Sequence, residues 1–303
     1  MAKKARSNKE ILEYFNNVDE LFDKLGNKNK EELENAKIKP IHDLYPLAQN
    51  GICAMMAVPG TGKTRTYLNI TSKQQGIFNK PFFETVVICS TSNEFDKTVK
   101  TFKEAIDNSE LIAIKDTEIM EFIDQHIHKT MLYDSLINFI NNDYKNPDEN
   151  MERIIRENRL NKKEKLIEFI SKTLIEIGWE THPSRMLLIF DDFANHPLLK
   201  KREDPLSRML KKLRHFHINV IISVQTTKDI PKNLRRLLTD IILFPGISEE
   251  DFMYLMKETP TGSLPHDHRT LWEHYRKIKD KHTAFRLHLT AQRAIVGFPK
   301  IIN

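Results

Sequence analysis

The chain has 303 residues, 40% of them hydrophobic and 29% charged, with a formal net charge of +5. That size allows one large domain or a domain with an appendage, and the composition is that of a globular chain in water. The longest strongly apolar runs, "RMLLIF" (185–190) and "NVIISV" (219–224), are far shorter than the ~20 residues a membrane-spanning helix needs. No such helix is expected, and no apolar stretch of signal-peptide type follows the basic start "MAKKARSNKE". An intracellular protein is the expectation. Cys53 and Cys89 lie in apolar, strand-like runs and read as buried thiols, not as a disulfide or a metal pair. The mild positive charge does not by itself identify a nucleic-acid binder.

Residues 1–45 read as a helical N-terminal arm. Ile11, Leu12, Phe15, Val18, Leu21, Phe22 and Leu25 recur at helical spacing and stop at Gly26, and a short charged helix follows over about 30–37. The strand "GICAMMAV" (51–58) leads into a glycine loop and a helix from about 62 to 75. "ETVVICS" (84–90) is a β-branched run of the buried parallel kind, with a helix over about 94–106 after it. Residues 117–177 change character: two long helices, over about 118–142 and 148–177, are split by "NDYKNPDEN" and read as an insertion in an α/β core. The core pattern resumes with the strand "RMLLIF" and a helix over 205–215. After the strand "NVIISVQ" come a short helix over 231–238, the strand "DIILF" (240–244) and a helix over 248–258. A C-terminal extension, 260–303, adds a helix near 271–278 and strand-like pieces at "AFRLHL" and "AIVGF". Strands alternating with helices predict a mostly parallel sheet flanked by helices, with residues 46–303 as one domain around it.

The loop after the first strand fits the phosphate-loop (Walker A) spacing: Ala57, then Val58-Pro59-Gly60-Thr61, then Gly62-Lys63-Thr64. Gly60 and Gly62 permit the backbone turn that points N–H groups at one phosphate, and the start of the next helix adds a favourable dipole. Lys63 is expected to reach the β- and γ-phosphates of ATP and the Thr64 hydroxyl to bind Mg²⁺. Pro59, Thr61 and Arg65 complete the predicted nucleotide contacts. Ala57 replaces the usual first glycine, at the position furthest from the phosphates. The strand "LLIFDD" (187–192) ends in acid at the sheet's carboxyl edge (Walker B), where ligands collect. Asp191 suits Mg²⁺ coordination, and Asp192 is the candidate to orient or deprotonate the attacking water. Gln225, at the same edge, could sense the γ-phosphate or hold the water; the alternative is helix or loop capping by an exposed glutamine. Arg214 has two readings of nearly equal weight: a guanidinium for transition-state charge, often supplied by a neighbouring subunit, or a surface arginine beside Arg208, Lys211 and Lys212. His126 and His128 are two apart on a helix and make a poor metal pair. His215 and His217 read as packing or capping residues, and "NRLNKKEK" (158–165) as a solvated charged face.

Together the phosphate loop, "LLIFDD" and the block "RHFHINVIISVQTTKDIPKNLRRLLTDIILF" (214–244) resemble the poxvirus-type genome-packaging ATPases of large DNA viruses and virophages, within the FtsK–HerA superfamily. The resemblance covers about residues 50–260, leaving aside the arm, the 117–177 insertion and the tail. It implies a P-loop NTPase of the RecA-like (ASCE) class, ring assembly (commonly hexameric), Mg²⁺-dependent ATP hydrolysis and translocation of double-stranded DNA into a preformed capsid. By position, Lys63 and Thr64 match the nucleotide and metal contacts, Asp191 the metal-binding acid and Gln225 the polar sensor. Arg214 falls in the region that supplies an arginine finger in trans, and Asp192 stands where many relatives have a catalytic glutamate. The implied partners are double-stranded DNA, further copies of the chain and a capsid vertex or portal protein, and the implied location is the virion or the virus factory of the host cytoplasm. Three alternatives stand beside this reading: a cellular DNA pump or helicase of the same superfamily, an ATP-dependent scaffold that does not translocate, and a small-molecule kinase. The last expects an arginine-rich lid, which the apolar-striped 117–177 segment does not resemble.

Overall fold

A computed structural model of the chain describes residues 47, 50–71, 83–90, 99–100, 110–142, 144–179, 183–193, 198, 205–264, 266–290 and 292–296. The expected arm over 1–45 and most of the expected helix over 94–106 lie outside these residues. The described residues form two compact units, one drawn from His42–Thr130 and Pro183–Asn303, the other from Met131–His182.

The first unit is built on an eight-stranded sheet. Its strands are β1 (Ile52–Met56), β2 (Thr85–Ser90), β3 (Glu110–Ile114), β4 (Met186–Asp191), β5 (Ile218–Val224), β6 (Asp240–Leu243), β7 (Phe285–His288) and β8 (Arg293–Val296). The spatial order is β3-β2-β4-β5-β1-β6-β7-β8. The pairings from β3 to β6 are parallel; β7 and β8 add antiparallel. Every residue of β1, β4 and β5 is buried. Their near-continuous apolar sequences are the signature of parallel strands covered on both faces. This is the mostly parallel, helix-flanked sheet expected of the P-loop class. One strand escapes the sequence reading: β3, "ELIAI", is short, is bracketed by charge and lies at the sheet edge.

The helices of this unit include α1 (Lys63–Thr71) and the start of α2 (Ile119–Asn141). The division between the units falls within α2, after Thr130. In the second unit α2 continues and is followed by α3 (Glu149–Glu157) and α4 (Lys163–Ile177). The single helix expected over 148–177 is thus two. Asn158 caps α3, and Arg159 takes a left-handed φ of 54° that breaks the run. Gly178, at φ 72°, ends α4. This unit has its own core: Tyr133, Leu136 and Phe139 pack with Met151, Leu166 and Ile170.

Returning to the first unit, α5 (Pro205–Leu213) and a 3-10 turn, Arg214–Phe216, lead into β5. The short α6 (Lys232–Arg235), α7 (Glu249–Glu258) and α8 (His268–Arg276) follow. Ser248 caps α7 by accepting from Asp251 N–H at 3.1 Å, as its position before an acidic first turn predicts. Tyr275 of α8 stacks on Phe252 of α7, donates to the Phe244 carbonyl at 2.7 Å and accepts from Ile247 N–H at 3.0 Å. These contacts pin the chain where it leaves β6. At the sheet's other edge Asp240 Oδ1 lies 3.4 Å from Arg286 Nη2 and 3.6 Å from His288 Nδ1, all buried. These side chains span the β6–β7 pairing, and a buried charge is costly unless it is paired in this way.

His126 is buried on α2 while His128 is exposed, so the two do not form a metal pair. Burial pushes the His126 imidazole down to about 4, against an ordinary value of 6.5. Below pH 6.5 the unfolded chain therefore binds more protons than the folded one, and stability falls as pH falls through that window. Between pH 6.5 and 5 the loss should be on the order of 2 kcal/mol. Thermal melts across that range should show it, and His126→Gln should flatten the slope.

Candidate active site

The phosphate loop begins where β1 ends. Ala57 N–H donates to the Val224 carbonyl at 3.2 Å and carries the β1–β5 ladder one step past the strand. Ala57 is buried, so the methyl at this position is accommodated within the fold. Val58, Pro59 and Gly60 are exposed. Gly60 and Gly62 take φ values of 80° and 105°, where a side chain would strain the backbone. The Thr61 hydroxyl donates to the Val58 carbonyl at 2.8 Å, and Gly62 O accepts the first helical bond, from Thr66 N–H at 2.9 Å. The first N–H groups of α1 thus have no partner in their own helix and make a ready anion site. Lys63, Thr64 and Arg65 form its opening turn, with Arg65 exposed.

The strand registers bring the acids to the same edge. Phe190 pairs with Ile222, and Ile222 with Ala54, so Asp191 and Asp192 stand level with the last residues of β5 and β1. Lys63 Nζ lies 3.6 Å from Asp191 Oδ1. The Tyr67 hydroxyl donates to the same oxygen at 3.0 Å. Tyr67 is one helical turn beyond Lys63, so both side chains leave the same face of α1. Burial, and then the Asp191 charge, push the Tyr67 phenol well above its ordinary value and keep it a neutral donor. Asp192 takes a left-handed φ of 56°, and its Oδ1 accepts from Gln225 Nε2 at 3.2 Å. The two acids, although adjacent in sequence, therefore engage different partners.

Lys63, Asp191, Asp192 and Gln225 are thus brought together beside the loop. Arg214 is not. It opens the turn before β5, at the sheet's opposite edge, and its side chain lies outside the described residues. His217, at φ 57°, is the C-cap of the 3-10 turn before β5, which matches the capping role read for it, and its carbonyl accepts from Met186 N–H at 3.0 Å beside β4. Two residues near the loop carry no motif. Tyr67 was findable from its spacing to Lys63. His282, whose Nδ1 lies 3.2 Å from the Thr61 carbonyl oxygen, had no local signal.

Among the described residues no group of three or more His, Cys, Asp or Glu is arranged to hold a metal. The Asp191 carboxylate and the Thr64 hydroxyl are instead hard oxygen donors. They fit Mg²⁺, which keeps several waters and takes further oxygens from phosphates. No helix among the described residues is long and apolar enough to cross a membrane.

A family model described as the poxvirus A32 protein matches residues 119–271. No curated protein matches by sequence. Three solved structures are similar. The genome packaging NTPase B204 from Sulfolobus turreted icosahedral virus 2, in complex with ATP-gammaS, is 11% identical with a TM-score of 0.46, over 83% of this chain and 98% of that one. B204, the DNA-packaging ATPase from Sulfolobus turreted icosahedral virus, is 14% identical with a TM-score of 0.45, over the same shares. EssC (ATPases 2 and 3) from Geobacillus thermodenitrificans is 11% identical with a TM-score of 0.46, over 82% of this chain and 39% of that one. The family match corrects the extent drawn from the motifs. It begins at α2 and includes the helical segment set aside as an insertion, and it ends within α8. The chain belongs to the poxvirus A32 protein family, a family of genome-packaging ATPases.

Proposed function

We propose that this ATPase is a motor that drives viral double-stranded DNA into a preformed capsid. One observation carries the reading. A lysine, two acids and an amide from three separate stretches of sequence meet at one sheet edge, at 3.6 Å (Lys63–Asp191) and 3.2 Å (Gln225–Asp192), beside a glycine loop. In the proposed roles, the loop from Ala57 to Thr64 and the first turn of α1 through Arg65 cradle the phosphates of ATP, with Pro59 shaping the turn. Lys63 meets the β- and γ-phosphate charge. Thr64 and Asp191 hold Mg²⁺, which when bound offsets phosphate charge. Tyr67 orients Asp191. Asp192 positions the attacking water and accepts its proton, and Gln225 couples that carboxylate to the state of the γ-phosphate.

Arg214 sits seven strand residues of β5 away from this chain's own loop, a span of roughly 20 Å. That separation supports action on a neighbouring subunit's nucleotide in a ring, which by the resemblance is commonly a hexamer. The net charge of +5 on each copy adds up around such a ring and favours DNA within it. Docking on a capsid vertex or portal, in the virion or the virus factory, completes the proposal.

Lys63→Ala should abolish turnover in a phosphate-release assay, and double-stranded DNA should raise the wild-type rate, with DNA binding that weakens steeply as salt rises. A slow rate that DNA leaves unchanged and Lys63→Ala does not lower would point to a nucleotide-stabilised scaffold. Asp192→Asn should reduce kcat by about 10²–10⁴-fold while affinity for a non-hydrolysable ATP analogue stays within a few-fold. A parallel loss of analogue binding would reassign Asp192 to holding the nucleotide.

A further inference from the structure

The turn that joins α8 to β7 touches the phosphate loop through one side chain. His282 Nδ1 lies 3.2 Å from the Thr61 carbonyl oxygen. A carbonyl oxygen only accepts, so Nδ1 carries the proton and donates. Among the described residues no peptide bond is cis. In a trans peptide the C=O and the following N–H point to opposite sides. With the Thr61 carbonyl held on the His282 side, the Gly62 N–H is turned to the other. Gly62 itself sits close beneath the ring: a Cβ added there would stand 3.6 Å from Nδ1.

The His282 ring is delivered by a braced turn. The Asp280 carboxylate accepts from His282 N–H at 3.1 Å and from the Thr283 hydroxyl at 2.7 Å, and Thr283 N–H donates to the Asp280 carbonyl at 3.1 Å. The Thr61 side chain is already engaged with Val58, so its hydroxyl does not serve its own carbonyl. His282 is exposed and lies outside the hydrophobic core, so its side chain adds no core packing beside its contact with the loop.

We propose that His282 is a positioning residue of the phosphate loop: its Nδ1–H fixes the Thr61–Gly62 peptide so that the Gly62 N–H is presented to the nucleotide's phosphates. The proposal rests on reading residues 57–64 as the nucleotide site. It makes the C-terminal segment part of that site, although nothing in the local sequence marks it.

The test compares His282→Leu, His282→Asn and Lys63→Ala in the full chain, measuring ATP turnover, affinity for a non-hydrolysable ATP analogue and melting without nucleotide. Asn places an N–H at the same remove from Cγ as Nδ1, whereas Leu has no donor. His282→Leu should raise KM and weaken analogue binding by about 3- to 10-fold with kcat within about twofold, the size expected for one hydrogen bond felt equally in the ground and transition states. His282→Asn should restore most of that loss, and neither variant should shift the melting temperature. Wild-type binding in His282→Leu overturns the proposal, as does a loss that Asn does not rescue. If Lys63→Ala binds the analogue as tightly as wild type, the reading of the loop itself fails; a Lys63→Ala loss beside an unaffected His282→Leu rejects the role of His282 alone.

Discussion

Lys63 and Asp191 meet although β1, which leads into the loop, and β4, which carries the acid, do not touch. β5 lies between β1 and β4, which sets the two roughly 10 Å apart at the usual strand spacing. The gap is crossed from α1, whose lysine reaches over the end of β5 while Tyr67, one turn on, reaches the same oxygen. A carboxylate as buried as Asp191 is costly unless paired and hydrogen-bonded. The cation and the phenol together offset that cost. The Lys63–Asp191 contact therefore depends on two strand registers, β1–β5 and β5–β4, and one helix direction at once, and a slip in any of them would leave the acid uncompensated.

That dependence explains which features were legible in the sequence. Apolar runs marked β1, β4 and β5, and the glycine loop, the acids and the glutamine that follow them marked the ligand edge. What a linear pattern does not carry is the order in which the strands lie, because pairing is decided between segments far apart in the chain. β3 was missed because five residues flanked by charge leave little periodicity to read. The break at Arg159 was missed because no glycine or proline announces it. His282 lies 221 residues from Thr61, and no spacing rule connects them. Likewise "FRLH" alternates as a half-solvated strand would, yet Arg286 and His288 are buried against Asp240.

The family match and the loop motif share no residues. The match starts at Ile119, beyond the end of α1, and the phosphate loop is complete by Thr64. A glycine loop alone places a chain in a very large class of nucleotide-binding proteins. The matched span contains both acids, Gln225 and the helical unit with its own core. The loop and the matched span are separate stretches of the chain, and the fold brings Lys63 from the one beside Asp191 from the other. The matched span also runs through the helical segment that follows β3.

The left-handed backbone at Asp192 bears on which acid can stand there. Of the non-glycine residues, Asn and Asp are among those that adopt this conformation most readily; longer side chains do so less easily. A glutamate at this position would meet a backbone that favours it less, although Arg159 and Gln292 take the same left-handed φ in this chain. The shorter acid is thus the one this turn favours. The path of the main chain, through φ at one residue, thus bears on side-chain length at the end of β4.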